Sequence, residues 1–335
     1  MIVERGIDTI AYHMSLTPKQ KQNIMEKIKN RKGFLTLRDD YWSDVYSYAS
    51  NCNADQGIKI HLDKKRDAPW NLLILVHPTL LLGETDRSAL FFPTKRNYAG
   101  MVKRADELLK KICVPCSLES MKLYRVDVTE NWVCADAETV DTYLRIIKKG
   151  FLIPHYKLDW FRSSENKAEN PSDANRHSYK QKCKRAAFFA YDKTAQLQMI
   201  DHFPKALIGK KVLRLEVQMR RKSFSKWVGK AKMESNYTLL KTLCKQERSI
   251  IKWYLKRMKL LNGDIVRYED AVELVSTFRG KKARERMVYL LRKTSDSRDL
   301  TSAIEKLKEK YHLNGRQVAN ILKKFDLCSW NCPPA

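Results

Sequence analysis

The sequence predicts an α+β protein in which a sheet-containing N-terminal part is followed by an all-helical C-terminal part. Before residue 230, short segments with the composition of strands alternate with segments of helical periodicity. After that point, apolar residues recur mostly at helical spacing, and Lys and Arg fill many of the positions between them. We therefore predict one domain over residues 1–230 and a helical domain over residues 231–335, with the boundary between Val228 and Ser235.

The N-terminal part contains segments that predict strands and segments that predict helices. The first strand-like segments are rich in β-branched and aromatic residues and cover residues 7–14, 33–37, 58–62 and 72–77. Residues 101–112 and 138–148 carry apolar side chains at helical spacing and predict helices. Residues 162–184 are polar and have no period, which is typical of a long loop.

The C-terminal part predicts a series of helices. The first covers residues 239–261 and ends at Asn262-Gly263, where positive φ is tolerated. The others cover residues 269–278, 282–293, 300–311 and 316–325. The last two could form a helix-turn-helix that presents Gln317, Asn320 and Lys324 to DNA bases. An ordinary helical hairpin is the commoner arrangement and is favoured.

The net charge of +27 indicates a polyanionic partner. Between residues 203 and 263, 17 Lys and Arg residues stand against 3 Glu. No long helix combines a basic face with a bulky apolar face, so nucleic acid is favoured over a membrane surface. Because the apolar runs are too short to cross a bilayer and the N-terminus lacks a signal segment, we expect a cytoplasmic protein without a membrane partner.

Eight cysteines in a chain of this kind are expected to be free thiols. Cys113 and Cys116, together with Cys328 and Cys332, could supply four zinc ligands. The two pairs are more than 200 residues apart and lack the glycines of a zinc knuckle. Zinc is therefore the less favoured alternative.

Two further strand-like segments repeat one arrangement, an arginine followed two residues later by an acid. In residues 123–128, Arg125 and Asp127 share one face of the predicted strand. In residues 212–218, Arg214 and Glu216 share one face, and leucine and valine form the other. Each segment taken alone is most often a half-solvated strand.

A third segment, residues 186–193, ends with Tyr191 and Lys193 on one face of a strongly β-prone run. If the three strands are neighbours, carboxylates on adjacent strands could hold a hard cation that polarises a phosphate. A phenol beside them could attack phosphorus, and an ammonium could stabilise the developing charge. The set suits phosphodiester cleavage, whereas Tyr191 alone is more often a packed aromatic residue.

These residues resemble motifs of the rolling-circle replication initiators, in particular the phage and plasmid proteins of the filamentous-phage gene II type. Tyr124-Arg125-Val126-Asp127, followed by a predicted helix, resembles the R-x-D element of that family. Tyr191-Asp192-Lys193 resembles its Y-x-K element, and residues 213–217 resemble its L-R-x-E-x element. Order and spacing agree across residues 120–222, with weaker similarity at residues 7–9 and 77–83.

The resemblance implies an antiparallel-sheet nicking domain with helices, in which Tyr191 is the nucleophile and Lys193 assists it. It also implies that Asp127 and Glu216 bind Mg²⁺ or Mn²⁺. The family commonly has Glu five residues after the tyrosine, but here that residue is Gln196, so the third ligand is this amide or another residue. No His-hydrophobic-His pair occurs among the seven histidines, which favours a carboxylate-based site.

The expected partners are origin DNA, single-stranded or in a hairpin, and a helicase and a polymerase of the host. The chain has no Walker phosphate loop and so does not supply its own ATP-driven unwinding. The candidate DNA contacts are Arg125, Arg214, Lys182, Lys184, Arg185, Arg220 and Arg221. The aromatic residues that could stack on unpaired bases are Trp132, Trp160, Phe161 and Trp227.

Two other classes of protein remain as alternatives. A non-catalytic, sequence-specific DNA-binding regulator would have Tyr191, Asp127 and Glu216 separated or packed in a core. A tyrosine recombinase would have its tyrosine near the C-terminus after a His-x-x-Arg element, which is not found here. Nicking is therefore the favoured function: it would leave the 5′ end on Tyr191 and a free 3′ hydroxyl to prime synthesis, and a reverse transfer would rejoin the strand.

Overall fold

A computed structural model describes most of the chain. The described residues are 2–31, 33–40, 45–53, 56–65, 68–159, 177–199, 207–229, 235–261, 264–265, 268–277, 280–297, 299–326 and 330–331. They form a large antiparallel sheet with helices and a helical C-terminal stretch, which confirms the predicted α+β class. None of the helices among these residues is both long and apolar enough to span a membrane.

Ten strands form the main sheet, and every neighbouring pair is antiparallel. Their order across the sheet is β2-β3-β4-β5-β1-β6-β10-β9-β8-β7. The strands are β1 (Ile2–Leu16), β2 (Phe34–Asp40), β3 (Val45–Asn53), β4 (Ile58–Lys64), β5 (Trp70–Val76), β6 (Lys122–Cys134), β7 (Lys157–Leu158), β8 (Ser178–Lys182), β9 (Ala186–Asp192) and β10 (Lys211–Arg220). A separate parallel pair consists of β11 (Asp264–Ile265) and β12 (Trp330–Asn331).

The helices fall between the strands and after them. They are α1 (Pro18–Ile28), α2 (Pro78–Leu81), α3 (Lys95–Lys110), α4 (Ala137–Lys149), α5 (Lys193–Met199), α6 (Arg221–Phe224), α7 (Asn236–Lys245), α8 (Glu247–Arg257), α9 (Tyr268–Ser276), α10 (Lys281–Asp296), α11 (Leu300–Tyr311) and α12 (Gly315–Asp326). Several begin at a side chain that accepts a backbone hydrogen bond, as Thr94 does for α3 and Asp136 for α4.

The central strands give the sheet two different faces because side chains alternate along a strand. One face, here called the helix face, carries most of the leucines and valines of β6 and β10 and belongs to the large apolar core. Helices α4 and α8 cover it: Trp132 contacts Tyr143 of α4, and Phe188 stacks on Tyr254 of α8. The opposite face, here called the site face, carries Arg125, Asp127, Tyr191, Arg214 and Glu216.

The apolar residues divide into two main cores. The larger core includes the sheet together with α7 and α8, whose buried residues include Leu243 and Ile250. The second is formed by α9–α12, around residues such as Val275, Leu290 and Leu307. The predicted boundary near residue 230 stays a prediction, but α7 and α8, which follow it, share their core with the sheet.

Two predicted elements differ from the structure. The helix predicted over residues 239–261 is two helices, because the chain turns at Gln246, and α8 ends at Arg257; Asn262 and Gly263 lie outside the described residues. The predicted loop contains β8, while residues 160–176 lie outside the described part. The polar β8 is stable there because the buried Gln181 amide bonds to Tyr179 and to the backbone of Ile153.

Candidate active site

The three strands singled out in the sequence are neighbours, since β10 lies between β6 and β9. Arg214 of β10 is in register with Tyr191 of β9 and with Asn131 of β6. Further along, Gln218 of β10 is in register with Asp127 of β6. The alternation along antiparallel strands therefore brings the predicted tyrosine and both predicted carboxylates to one face of the sheet.

Tyr191 lies partly exposed at the end of β9, and its hydroxyl donates a hydrogen bond to Oε2 of Glu216 at 3.2 Å. Burial and the charge of Glu216 raise the pKa of Tyr191 well above its usual value, although Arg214 opposes this. Burial, followed by the charges of Asp127 and Asp8, raises the pKa of Glu216 to about 8. The phenol is therefore neutral, and it is hydrogen-bonded to a carboxyl group that can accept its proton only in the ionised form, which a pKa of about 8 favours above neutral pH.

Arg214 is fully buried, and every arm of its guanidinium is used. Its Nε donates to Oδ1 of Asn131 at 2.8 Å, its Nη1 to Oδ1 of Asp8 at 2.5 Å, and its Nη2 to the carbonyl of Ser88 at 2.6 Å. Burial alone would lower the pKa of Arg214, but Asp8 and the other nearby groups outweigh this effect and raise the pKa above its usual value. Arg214 therefore stays positively charged. The structure thus makes Arg214 a fixed positive charge across from Tyr191; its contact with DNA stays a prediction.

Asp8 reaches this site from a β-bulge in β1. The register of β1 with β6 shifts between Ile7 and Ile10, so that Asp8 and Thr9 together face one residue of β6. Burial raises the pKa of Asp8, but Arg214, Lys193 and His77 lower it more, to about 2. Asp8 is the main site residue that motif comparison left without a role, and the similarity at residues 7–9 was its one signal.

Asp127 is buried and held by Arg125 two residues before it. Nε of Arg125 donates to Oδ1 of Asp127 at 2.8 Å, and Nη2 donates to Oδ2. Burial raises the pKa of Asp127 although Arg125 lowers it. The R-x-D element is therefore a bidentate ion pair on the site face, with Arg125 still partly exposed beside it.

Lys193 was predicted to lie at the end of a strand, but in the structure it is the first residue of α5. The strand ends at Asp192 because its carboxylate accepts the backbone N–H of Ala195 at 2.9 Å, which starts the helix. Nζ of Lys193 donates to Oε1 of Gln196 at 2.9 Å. Burial, and then the charge of Arg214, lowers the pKa of Lys193 to about 8, so its ammonium can give up a proton near neutral pH.

The predicted metal ligands do not form a cage for an ion in this arrangement. Within the described ranges, no group of three or more His, Cys, Asp or Glu side chains could hold a metal. Asp127 is engaged by Arg125, and the Gln196 amide oxygen is engaged by Lys193. Of the three predicted ligands, only Glu216 has no Lys or Arg bound to it among the described residues. Metal binding at this site stays a prediction, and it requires Arg125 and Lys193 to move away from Asp127 and Gln196.

The other predicted DNA contacts lie towards the far ends of β9 and β10. Lys184, Arg185 and Arg220 are exposed there. Six residues of β9 at about 3.3 Å each separate Arg185 from Tyr191 by about 20 Å. Lys182 is paired with Asp159 at 2.8 Å, and Arg221 donates to the carbonyl of Leu123 at 3.1 Å.

The remaining candidates occupy varied positions. Trp132 donates to Glu130 on the helix face, and Trp227 is partly buried beside Lys226. Trp160 and Phe161, and the zinc candidates Cys328 and Cys332, lie outside the described residues. In α12, Gln317 and Asn320 are exposed and Lys324 is partly buried. Gln317 and Asn314 bond to each other's backbone N–H as a helix cap, so the role of α12 in base contact stays a prediction.

Comparison with known proteins gives little. The sequence matches no family model and no curated protein. Among solved structures, the chain is similar to a rolling circle replication initiator protein from Geobacillus stearothermophilus, at 8% sequence identity and a TM-score of 0.34. The similarity covers 76% of this chain and 85% of that chain. A TM-score this low supports no functional conclusion, so the function of this chain has to be inferred from the geometry of its site.

Proposed function

We propose that this protein cuts one strand of DNA with Tyr191 and later rejoins it, as an initiator of rolling-circle replication. The observation that carries the proposal is the hydrogen bond from the Tyr191 hydroxyl to Glu216, with Arg214 close to the same phenol and Lys193 close to Arg214 and Glu216. A phenol, a proton acceptor and buried positive charge are the groups that tyrosine attack on a phosphodiester requires. The order of the three sequence motifs supports the same function.

In the proposed reaction, the Tyr191 oxygen attacks phosphorus and its proton passes to Glu216 in its carboxylate form. The bond from phosphorus to the 3′ oxygen breaks, and the 5′ phosphate stays on the tyrosine. The leaving 3′ oxygen takes a proton from the Lys193 ammonium, whose lowered pKa suits that transfer. Arg214 favours the developing negative charge because Asp8, Asn131 and Ser88 hold it in place before the reaction.

The reverse transfer would rejoin the strand, and the free 3′ hydroxyl would be extended by a host polymerase behind a host helicase. Dependence on Mg²⁺ or Mn²⁺ is part of the proposal through the sequence resemblance, but no step above is assigned to the ion. Chelation tests whether cleavage needs the ion: loss of cleavage with EDTA and its return with excess Mg²⁺ would support a metal requirement.

The test is covalent trapping of single-stranded DNA. Wild-type protein is incubated with a 5′- and 3′-labelled single-stranded library, and the adduct is read as a shifted band after denaturing electrophoresis. Tyr191→Phe should form no adduct, because the attacking oxygen is gone, while its binding of the same library stays near the wild-type level. Tyr124→Phe is the matched control, since Tyr124 lies on β6, which β10 separates from β9, and its ring contacts His13 rather than Glu216. An adduct on Tyr191→Phe would refute the proposal.

A further inference from the structure

At the end of the sheet far from Tyr191, the surface is made of cations from three elements. The turn before β9, the end of β10 with α6, and the last turn of α8 meet there. The backbone N–H of Arg220 bonds to the carbonyl of Arg185 at 2.9 Å, and Ser223 Oγ to the same carbonyl at 3.4 Å. The exposed cations of this surface, here called the basic corner, are Lys184, Arg185, Arg220, Lys222, Lys226 and Arg257.

The basic corner has little negative charge of its own. Residues 179–191, 218–229 and 248–261, which form it, contain no Asp or Glu. The nearby Asp159 is already paired with Lys180 at 2.5 Å and with Lys182 at 2.8 Å. Arg220 also lies in register with Arg125, and like charges directly across a strand pair repel each other. A chain of phosphates would relieve this repulsion.

Two tryptophans add an aromatic surface to the basic corner. Trp227 and Trp253 are partly exposed, and their rings meet edge to face at 6.2 Å. Nζ of Lys226 lies 3.0 Å from the ring centre of Trp253 and 4.8 Å from that of Trp227. Arg257 lies 5.2 Å from the ring of Trp253. Aromatic faces between backbone-binding cations characterise surfaces that bind unpaired nucleic acid, since a base can stack only when it has left the duplex.

We propose that the basic corner is a second binding surface, for single-stranded DNA, where a base stacks on Trp227 or Trp253 while Lys226 and Arg257 turn towards its phosphates. The inference rests on the proposed function, because the strand held here would be the one that reaches Tyr191. The separation of about 20 Å is one that a few nucleotides of a single strand can span. Arg220 of the corner is in register with Arg125, which lies on the site face towards Tyr191 and continues the cationic path.

The test measures binding without cleavage, in Tyr191→Phe protein, with a labelled 20-nucleotide oligothymidine. One variant combines Lys222→Gln, Lys226→Gln and Arg257→Gln. The matched control removes the same charge from exposed positions at α3, with Lys103→Gln, Lys110→Gln and Lys111→Gln. Six contacts predict a slope of log K against log salt of about −4, and three predict about −2. The corner variant should therefore bind roughly 100-fold more weakly at 0.1 M salt, and the control should match the parent.

The tryptophans supply a second measurement. Oligothymidine should quench part of the intrinsic fluorescence, and Trp253→Leu should lose that quenching while Trp132→Phe keeps it, because Trp132 bonds to Glu130 away from the corner. Circular dichroism checks that both variants remain folded. Equal binding by the corner and control variants, or equal competition by a duplex of the same length, would overturn the inference.

These outcomes separate the inference from the proposed function. Absence of a Tyr191 adduct together with weakened binding by the corner variant would remove the nicking proposal and leave a single-strand-binding surface. Formation of the adduct together with unchanged binding by the corner variant would support the nicking proposal and remove the single-strand-binding surface.

Discussion

Both faces of the sheet bury carboxylates, but they stabilise them in different ways. On the site face, Asp8 and Asp127 each have an arginine partner, Arg214 and Arg125. On the helix face, Glu130 and Glu247 share the half-exposed Arg5, at 3.2 and 3.5 Å. One oxygen of Glu247 is buried without a hydrogen-bond partner among the described residues. A buried charge without a partner is costly, so the site face keeps its charges and the helix face favours a protonated acid.

Glu216 combines features of both faces. Like Glu247, it is a buried carboxyl whose pKa is raised, in its case to about 8. Unlike Glu247, it accepts a hydrogen bond from the Tyr191 phenol on a face where cations are fixed nearby. The difference teaches that a raised pKa alone does not identify a functional carboxyl group. The hydrogen-bond partner identifies it, because of the two carboxyl groups only Glu216 is bonded to a candidate nucleophile, the Tyr191 phenol.

The comparison is tested most strongly by removing one arginine from the site face. Arg214→Met leaves Asp8, Asn131 and the Ser88 carbonyl without their buried donor. We expect the free energy of unfolding in urea to fall by about 3–5 kcal/mol. Arg125→Met should cost less, because Arg125 is partly exposed and solvent can replace part of the pair. Equal losses would show that burial does not decide the strength of these pairs.

Asp8→Asn tests whether the charge of Asp8 matters beyond its shape. The amide can still accept the Arg214 hydrogen bond, but it no longer holds the guanidinium by charge. We expect the rate of adduct formation to fall by about 100-fold, the size of effect seen when one preorganised charged contact is lost. Asp136→Asn is the control, because Asp136 is an exposed cap of α4. An unchanged rate would place Asp8 outside the working site.

On the helix face, Glu247 should make stability depend on pH. Burial, then the neighbouring Glu130, raises the pKa of Glu247 to about 9, so the folded state binds its proton more tightly than the unfolded state. Its stabilising contribution is complete below the unfolded value near 4.5 and is lost as pH rises towards 9. Glu247→Gln should remove about 2 kcal/mol of this decline between pH 5 and pH 9. Parallel stability curves for the two proteins would contradict the assignment.

Much of the fold was predictable because its strands are amphipathic or apolar. The segment that became β9 is buried and β-prone, and β6 and β10 show clear alternation. The strand β8 was not predicted because its inward Gln181 is polar and is stabilised only by tertiary hydrogen bonds. The break between α7 and α8 at Gln246 also lacks a Gly or Pro signal, so periodicity alone continued the helix through it.

The site was predictable where its side chains alternate within one β-strand, as in β6, β9 and β10. Tyr191, Asp127 and Glu216 come to one face because β10 lies between β6 and β9, which the sequence permits but does not show. The position of Asp8 depends on a bulge, and a bulge depends on the pairing partner. The Ser88 carbonyl has no sequence signal, since any residue could supply a backbone oxygen.

The smallest expected effect comes from a site that belongs to neither set of carboxylates. Thr17 caps α1: its hydroxyl accepts the N–H of Gln20 at 3.3 Å, and the Gln20 side chain accepts the N–H of Thr17 at 2.9 Å. Thr17→Ala should lower the free energy of unfolding by about 1 kcal/mol, and Thr17→Ser should lower it much less because the acceptor remains. Neither substitution changes a buried charge, so the pH dependence of stability and the rate of adduct formation should stay at wild-type values. A change in either would mean that general loss of stability, rather than the buried charges, accounts for the effects expected of Glu247→Gln and Asp8→Asn.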